Sequence, residues 1–160
     1  MTITENEITE ALTSWGDGII SVSAAYETHG FKLAQRVAIK ILEDLYSFEL
    51  GPVLFKPTLS GGEKTFRTTK EGALSYFVGN NTEYPGDTGF GIKRWRKIWF
   101  QTSATFTEND VAMWMGWMMF EDKKGSLIKV DKSFGYKKIQ NGTLKIILHH
   151  SSLPYEQKGL

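Results

Sequence analysis

The chain has 160 residues, 41% of them hydrophobic and 23% charged, with a formal net charge of +1 and no cysteine. That composition predicts a folded domain with a substantial core, and it excludes disulfides, a thiolate nucleophile and a cysteine-ligated zinc. A charge so close to zero provides no global attraction for nucleic acid or for an acidic membrane surface.

The opening MTITENEITE has neither the basic nor the apolar region of a secretory signal, and the strongly apolar stretch Val111 to Phe120 is too short for a helical membrane span. The expectation is a cytoplasmic protein, one domain over residues 1–160, with no membrane or nucleic-acid partner. Asn80 and Asn141 match the glycosylation pattern but are expected to stay unmodified in that setting.

Thr4 and Glu7 have the spacing of a capping box. Beyond them Ile8, Leu12, Trp15, Ile19, Val22 and Tyr26 recur every three or four residues, which predicts one face of a helix. Trp15-Gly16-Asp17-Gly18 predicts a split or kink within it. Gly30 marks a turn, and Ala34, Val37, Ala38, Ile41, Leu42 and Leu45 form a second stripe; both stripes are expected to pack on a sheet. After Gly51-Pro52, VLFKPT reads as a short strand that Pro57 confines to a sheet edge or a strand end. LSGGEKT is a turn. FRTTKEGALSYFVG begins extended and becomes helical from about Thr69 to Phe77, and GNNTEYPGDTGFG is an ordered loop or lid.

Four strands follow, near 92–106, 110–121, 126–138 and 143–152, separated by short turn signals that predict an antiparallel meander. The strand at 110–121 is apolar on both faces, so either both are covered within the subunit or one lies in a dimer interface. Helices followed by a curved antiparallel sheet define an α+β class.

The most reactive-looking stretch is His149-His150-Ser151-Ser152, with His29 the one other histidine. Adjacent strand residues point to opposite faces, so His149 and Ser151 share one face and His150 and Ser152 the other. A three-histidine zinc site is disfavoured on that parity, and no DxD or ExxH-type cluster suggests a hard cation. No GxSxG elbow activates either serine. SGGEKT lacks the spacing of a phosphate loop, and KRWRKIW reads as an exposed strand face beside a buried one rather than a nucleic-acid groove. Alternation alone does not choose between the two faces of the last strand, since Leu144, Ile146 and Leu148 would put the even set toward an apolar layer.

The motifs GPVLFKPT, FRTT-EGALSYFVG, D-GFGI--W and HHSSLPY, in that order between about Trp15 and Tyr155, resemble the iota-class carbonic anhydrases. These are small proteins related to the association domain of calmodulin-dependent kinase, within the nuclear-transport-factor-like superfamily. The resemblance implies a cone-shaped α+β fold, N-terminal helices packed on a bent antiparallel sheet with a pocket inside, and a homodimer. It implies a carbonic anhydrase that interconverts carbon dioxide and bicarbonate with no metal and no cofactor. Other branches of the class have been described as manganese-using, so the argument against zinc rests on the residue inventory. The matching positions for the hydroxyls that hold bicarbonate, and for catalysis, are Thr58, Tyr76 and Ser151, with His149 beside the same pocket and His150 mainly structural. In the mechanism this suggests, Tyr76, with a reference pKa of about 10, takes a proton from the attacking water, and His149 relays it to solvent. Phe77, Phe90 and Trp95 are the candidates for excluding bulk water. The competing readings are a non-enzymatic homo-oligomerisation or binding module of the same fold, and a small-molecule isomerase or cyclase, which would want an inward carboxylate base.

Overall fold

In the computed structural model, which describes residues 2–156, the Thr4 side chain accepts from the Glu7 N–H and the Glu7 carboxylate accepts from the Thr4 N–H. This complete capping box opens α1, Glu5–His29. The helix runs without a break through Trp15-Gly16-Asp17-Gly18, where the sequence predicted a kink. Its two glycines are contact points instead: a Cβ on Gly16 would meet Ile98 Cγ2 at 3.2 Å, and one on Gly18 would meet Ile41 Cδ1 at 3.1 Å. The roughly 1 kcal/mol that each glycine costs a helix interior is offset by the close approach of the sheet on one side and α2, Phe31–Leu45, on the other. Gly30, with φ 81, makes the turn between the helices.

Next come β1, Leu54–Lys56, and α3, Lys70–Val78, whose N-cap Thr69 accepts from the Gly72 N–H. The sheet is completed by β2, Trp95–Glu108; β3, Val111–Asp122; β4, Leu127–Lys138; and β5, Leu144–Ser152. The strand order is β1-β5-β4-β3-β2, with β2 to β5 as the predicted antiparallel meander. β2 starts at Trp95 rather than near 92, because Phe90–Ile92 forms a 3-10 turn and Arg94 takes φ 61. β1 is an edge strand as Pro57 requires, and it pairs parallel with β5, Lys56 opposite His150.

The buried face of the sheet packs under α1 around Trp15, Trp114, Phe120 and Phe134. On β3, Ala112, Trp114, Met118 and Phe120 are buried while Met113 and Met115 are 50% and 60% exposed, so the subunit covers only one face of this strand. No described helix is long and apolar enough to cross a membrane.

A β-bulge decides the orientation of the last strand. Gly135 pairs with Leu148 and Tyr136 with Ile146, leaving Ile147 as an extra residue on β5. Leu144 and Ile146 face the core before the bulge, whereas His149 and Ser151 face it afterwards and His150 is exposed. The even and odd sets are therefore both inward, on either side of Ile147. Gly135 makes room for this: a Cβ there would stand 2.9 Å from Leu148 Cβ. Gly135→Val is expected to lower stability by ~1–3 kcal/mol through overpacking, read as a fall in the urea midpoint.

Candidate active site

Beneath α1 lies a small, tightly closed void. Trp15 of α1 forms one wall; Phe55 of β1 and Tyr76 and Phe77 of α3 form others. Thr58, Phe90, Lys132 of β4 and His149 of β5 close it. Parallel pairing of β1 with β5 brings the residues after Lys56 alongside Ser151, and Thr58 Oγ1 and Ser151 Oγ share a hydrogen bond of 2.6 Å. Lys56 Nζ donates to the Ser151 carbonyl at 2.8 Å and holds the same junction from outside. Tyr76 reaches the cluster from α3, its oxygen accepting from the Leu59 N–H at 3.3 Å.

The exposures are 9% for Thr58, 6% for Tyr76, 1% for His149 and 0% for Ser151. Burial pushes the Tyr76 phenol up to about 12, against the opposing hydrogen bonds from Leu59 and Thr58. Tyr76 therefore stays protonated at neutral pH. Its proton is available to a hydrogen-bond acceptor.

His149 is stacked between Phe55 and Phe134, with ring centroids 4.5 and 4.4 Å away. Its Nδ1 lies 2.9 Å from Tyr46 Oη, which accepts from Trp15 Nε1 at 2.8 Å, and its Nε2 lies 2.8 Å from Lys132 Nζ. Burial, with smaller contributions from Lys132 and His150, holds the imidazole well below the usual histidine range. With both nitrogens engaged inside the protein, His149 does not exchange protons with buffer. The expected relay from His149 to solvent is thus replaced by an internal chain, Trp15–Tyr46–His149–Lys132.

The structure brings Thr58, Tyr76, Ser151 and His149 together, and Phe77 and Phe90 line the same void. Trp95 lies behind Phe90, centroids 5.3 Å apart, and does not line it. His150 points outward, and His29 sits exposed at the end of α1. Among the described residues no group of three or more His, Asp or Glu side chains converges to hold a metal ion. Sequence reasoning missed Trp15, Tyr46 and Lys132 as parts of the cluster. The signal for Lys132 was present: on β4 it stands between Val130 and Phe134 in a buried alternation that continues to Tyr136.

The loop from Gly79 to Gly91 is ordered, as expected, and one buried ion pair anchors it. Arg67 bonds Asp87 through both terminal nitrogens at 2.7 Å and donates to the Gly72 carbonyl, while Ser75 Oγ donates to Asp87 at 2.6 Å. Tyr84 lies over the guanidinium at 4.4 Å. The loop is thereby fastened to α3, the helix that presents Tyr76.

Bent antiparallel strands around an N-terminal helix pair, with a polar cluster inside, place the fold in the nuclear transport factor 2-like class. A protein of that superfamily from Salmonella enterica superposes with a TM-score of 0.55 at 14% identity, covering 97% of this chain and 96% of that one. A putative calcium/calmodulin-dependent protein kinase II association domain from Xanthomonas campestris gives 0.60 at 24% identity, covering 94% and 87%. Within this class, the family model described as metal-independent carbonic anhydrase matches residues 6–153. A metal-independent carbonic anhydrase from Nostoc sp. strain PCC 7120 is 44% identical over 155 residues, 97% of this chain and 76% of the relative. The crystal structure of a cyanobacterial iota-carbonic anhydrase complexed with bicarbonate superposes with a TM-score of 0.96 at 44% identity, covering 98% and 95%. The chain belongs to the metal-independent carbonic anhydrase family and is an enzyme of that type, and neither the assembly-module nor the isomerase reading is favoured.

The anchor of the loop yields a stability prediction. Asp87→Ala would leave Arg67 buried without its counter-charge, at a cost of ~3–5 kcal/mol, measurable as a lowered midpoint in chemical denaturation.

Proposed function

We propose that carbon dioxide and bicarbonate are interconverted in the cluster beneath α1, with the substrate held by the hydroxyls of Thr58, Tyr76 and Ser151. The observation that carries this reading is a cluster of buried hydroxyls from three separate segments: Thr58 and Tyr76 line one aromatic-walled void, and Ser151 stands directly behind Thr58, bonded to it at 2.6 Å. Carbon dioxide is neutral and apolar, so Phe55, Phe77 and Phe90 suit it. As water adds to its carbon, negative charge develops on oxygen, and donors already in place stabilise that charge without reorganising. Tyr76, kept protonated by burial, is such a donor. The Thr58–Ser151 bond uses one hydroxyl proton and leaves the other for the substrate. Bicarbonate bound in the 44% identical cyanobacterial enzyme supports the same substrate here. The nearly buried carboxylate beside the cluster, Asp87, is taken up by Arg67 and Ser75 and is absent from the lining of the void, so the carboxylate base that an isomerase would want has no counterpart among the lining residues.

The proposal treats the chain as one domain and extends to its assembly. Phe106 stands directly opposite Met113, and Met115 adjoins them on the outer face of the sheet, 63%, 50% and 60% exposed. An apolar face of this kind supports a homodimer that covers it, and sedimentation velocity reads that directly. A cytoplasmic location belongs to the same reading.

Ser151→Ala and Tyr76→Phe should each lower kcat/KM for carbon dioxide hydration by about 10²-fold, the usual effect of losing one donor to a developing oxyanion. Circular dichroism should be unchanged, and Thr58→Val should act in the same direction. A strong chelator should leave the wild-type rate unaltered. Loss of activity on chelation, restored by one added metal, would sink the metal-free reading.

A further inference from the structure

Lys132 is 3% exposed, and among the described residues no carboxylate lies within ion-pairing distance of it. Its neighbours are His149 Nε2 at 2.8 Å and the faces of Trp15, Phe120 and Phe134, at 4.7, 5.9 and 5.8 Å. A buried ammonium without a counter-charge is costly, and such a group ordinarily sheds its proton instead.

Counting protons along the chain gives the same answer. Trp15 Nε1–H can only donate, and it occupies one lone pair of Tyr46 Oη. The Tyr46 proton then needs an acceptor, and His149 Nδ1 at 2.9 Å provides it. A neutral imidazole with a bare Nδ1 carries its hydrogen on Nε2, aimed at Lys132 Nζ. Two donors would face each other across 2.8 Å if Lys132 were an ammonium. The opposite arrangement, with His149 Nδ1–H donating to Tyr46, leaves the Tyr46 proton without an acceptor. Only a free amine gives each hydrogen along Trp15, Tyr46 and His149 an acceptor.

The structure thus assigns a further catalytic residue: we propose that Lys132, held as a neutral amine by the Trp15–Tyr46–His149 chain, accepts the proton of the attacking water and becomes the counter-cation of the bicarbonate it forms. This rests on the carbonic anhydrase reading of the same void. The step balances as follows. A water lone pair forms the new C–O bond, and one C=O electron pair moves onto oxygen, where the hydroxyls meet it. The water O–H bond breaks, the hydrogen bond from His149 Nε2–H to Lys132 Nζ breaks with it, and the proton goes to the lone pair so freed on Nζ. The void is uncharged before the step and holds an ion pair after it, so no isolated charge arises in the apolar interior. Once protonated, Lys132 is repelled by His149 Nε2–H and attracted by the anion. In dehydration the same ammonium protonates the departing hydroxyl. Trp15, Tyr46 and His149 are positioning residues that act through Lys132.

The charged surroundings agree with the geometry. Burial pushes Lys132 down to about 7, Lys56 on β1 adds in the same direction, and Asp131 on β4 opposes. The other titratable groups close by, Tyr46, Tyr76 and His149, are all uncharged near neutrality.

Stopped-flow hydration by metal-stripped enzyme between about pH 6 and 9 tests the assignment. Wild-type kcat/KM should rise with pH through a midpoint near 7, since the free amine is the working form. Lys132→Met should lose about 10²- to 10⁴-fold, the usual contribution of a general base, together with the inflection. Lys132→Arg should be equally impaired, because it keeps a cation but has no available lone pair. Tyr46→Phe frees His149 to carry its hydrogen on Nδ1 and to accept from an ammonium, so it should move the midpoint upward and recover activity at high pH. An active Lys132→Arg, or Lys132→Met with its inflection intact, overturns the role of Lys132 and leaves the carbonic anhydrase reading standing. A flat wild-type profile overturns it as well, whether or not the variants fold. A wild type with no hydration activity overturns the functional reading itself.

Discussion

The interior is organised around a lysine that has no acid to pair with among the described residues. Lys132 projects from the middle of the sheet into a cage of Trp15, Phe120 and Phe134, and among the described residues its hydrogen-bonding neighbour is a histidine ring. An ammonium in that position would forfeit several kcal/mol of hydration. The fold instead surrounds it with groups whose donors and acceptors match a free amine: an indole N–H, a phenol and an imidazole in series. That constraint reaches three elements at once, since the chain joins α1, the residue just after α2, β5 and β4. Loss of any link changes which tautomer His149 adopts, and through it the proton affinity of Lys132.

The rest of the architecture delivers groups to this point. The bulge at Ile147 turns His149 and Ser151 inward on a strand that had been burying its even-numbered residues. Parallel pairing of β1 with β5 sets Thr58 against Ser151, and the Arg67–Asp87 pair fixes α3 so that Tyr76 closes the remaining side. Glycines serve close approach: Gly16 and Gly18 let α1 sit against the sheet and α2, and Gly135 admits Leu148 at the bulge. The result is a void with apolar walls and hydroxyl donors along one side, with a proton acceptor among its lining groups. Those are the parts that hydration of carbon dioxide needs when no metal acidifies the water.

Much of this was legible in the amino-acid order. Periodicity located both long helices, turn signals separated the four long strands, and Pro57 marked an edge. The resemblance carried by HHSSLPY and its companions named the family, and it selected Ser151 and His149 over His150. Two kinds of information stayed out of reach. Partners distant in sequence cannot be read from local pattern: Tyr46 and His149 are 103 residues apart, and nothing near Tyr46 announces their bond. Environment sets proton affinity: burial pushes the Tyr76 phenol up and holds the His149 imidazole down, and no reference value gives either direction. The bulge falls between these cases. Gly135 inside a strand hinted at one, but only the register shows that it reverses the parity of β5. Lys132 was the readable omission, a lysine in an otherwise apolar inward alternation.

The central claim is the proton arrangement of the Trp15–Tyr46–His149–Lys132 chain, and nitrogen-15 NMR of histidine-labelled enzyme tests it most directly. Between about pH 8 and 9, above the Lys132 midpoint, His149 should be a neutral imidazole with its hydrogen on Nε2 and Nδ1 acting as acceptor, the form that requires a free amine at Lys132. A hydrogen on Nδ1, or an imidazolium in that range, would contradict the account, because either form removes the reason for Lys132 to be uncharged.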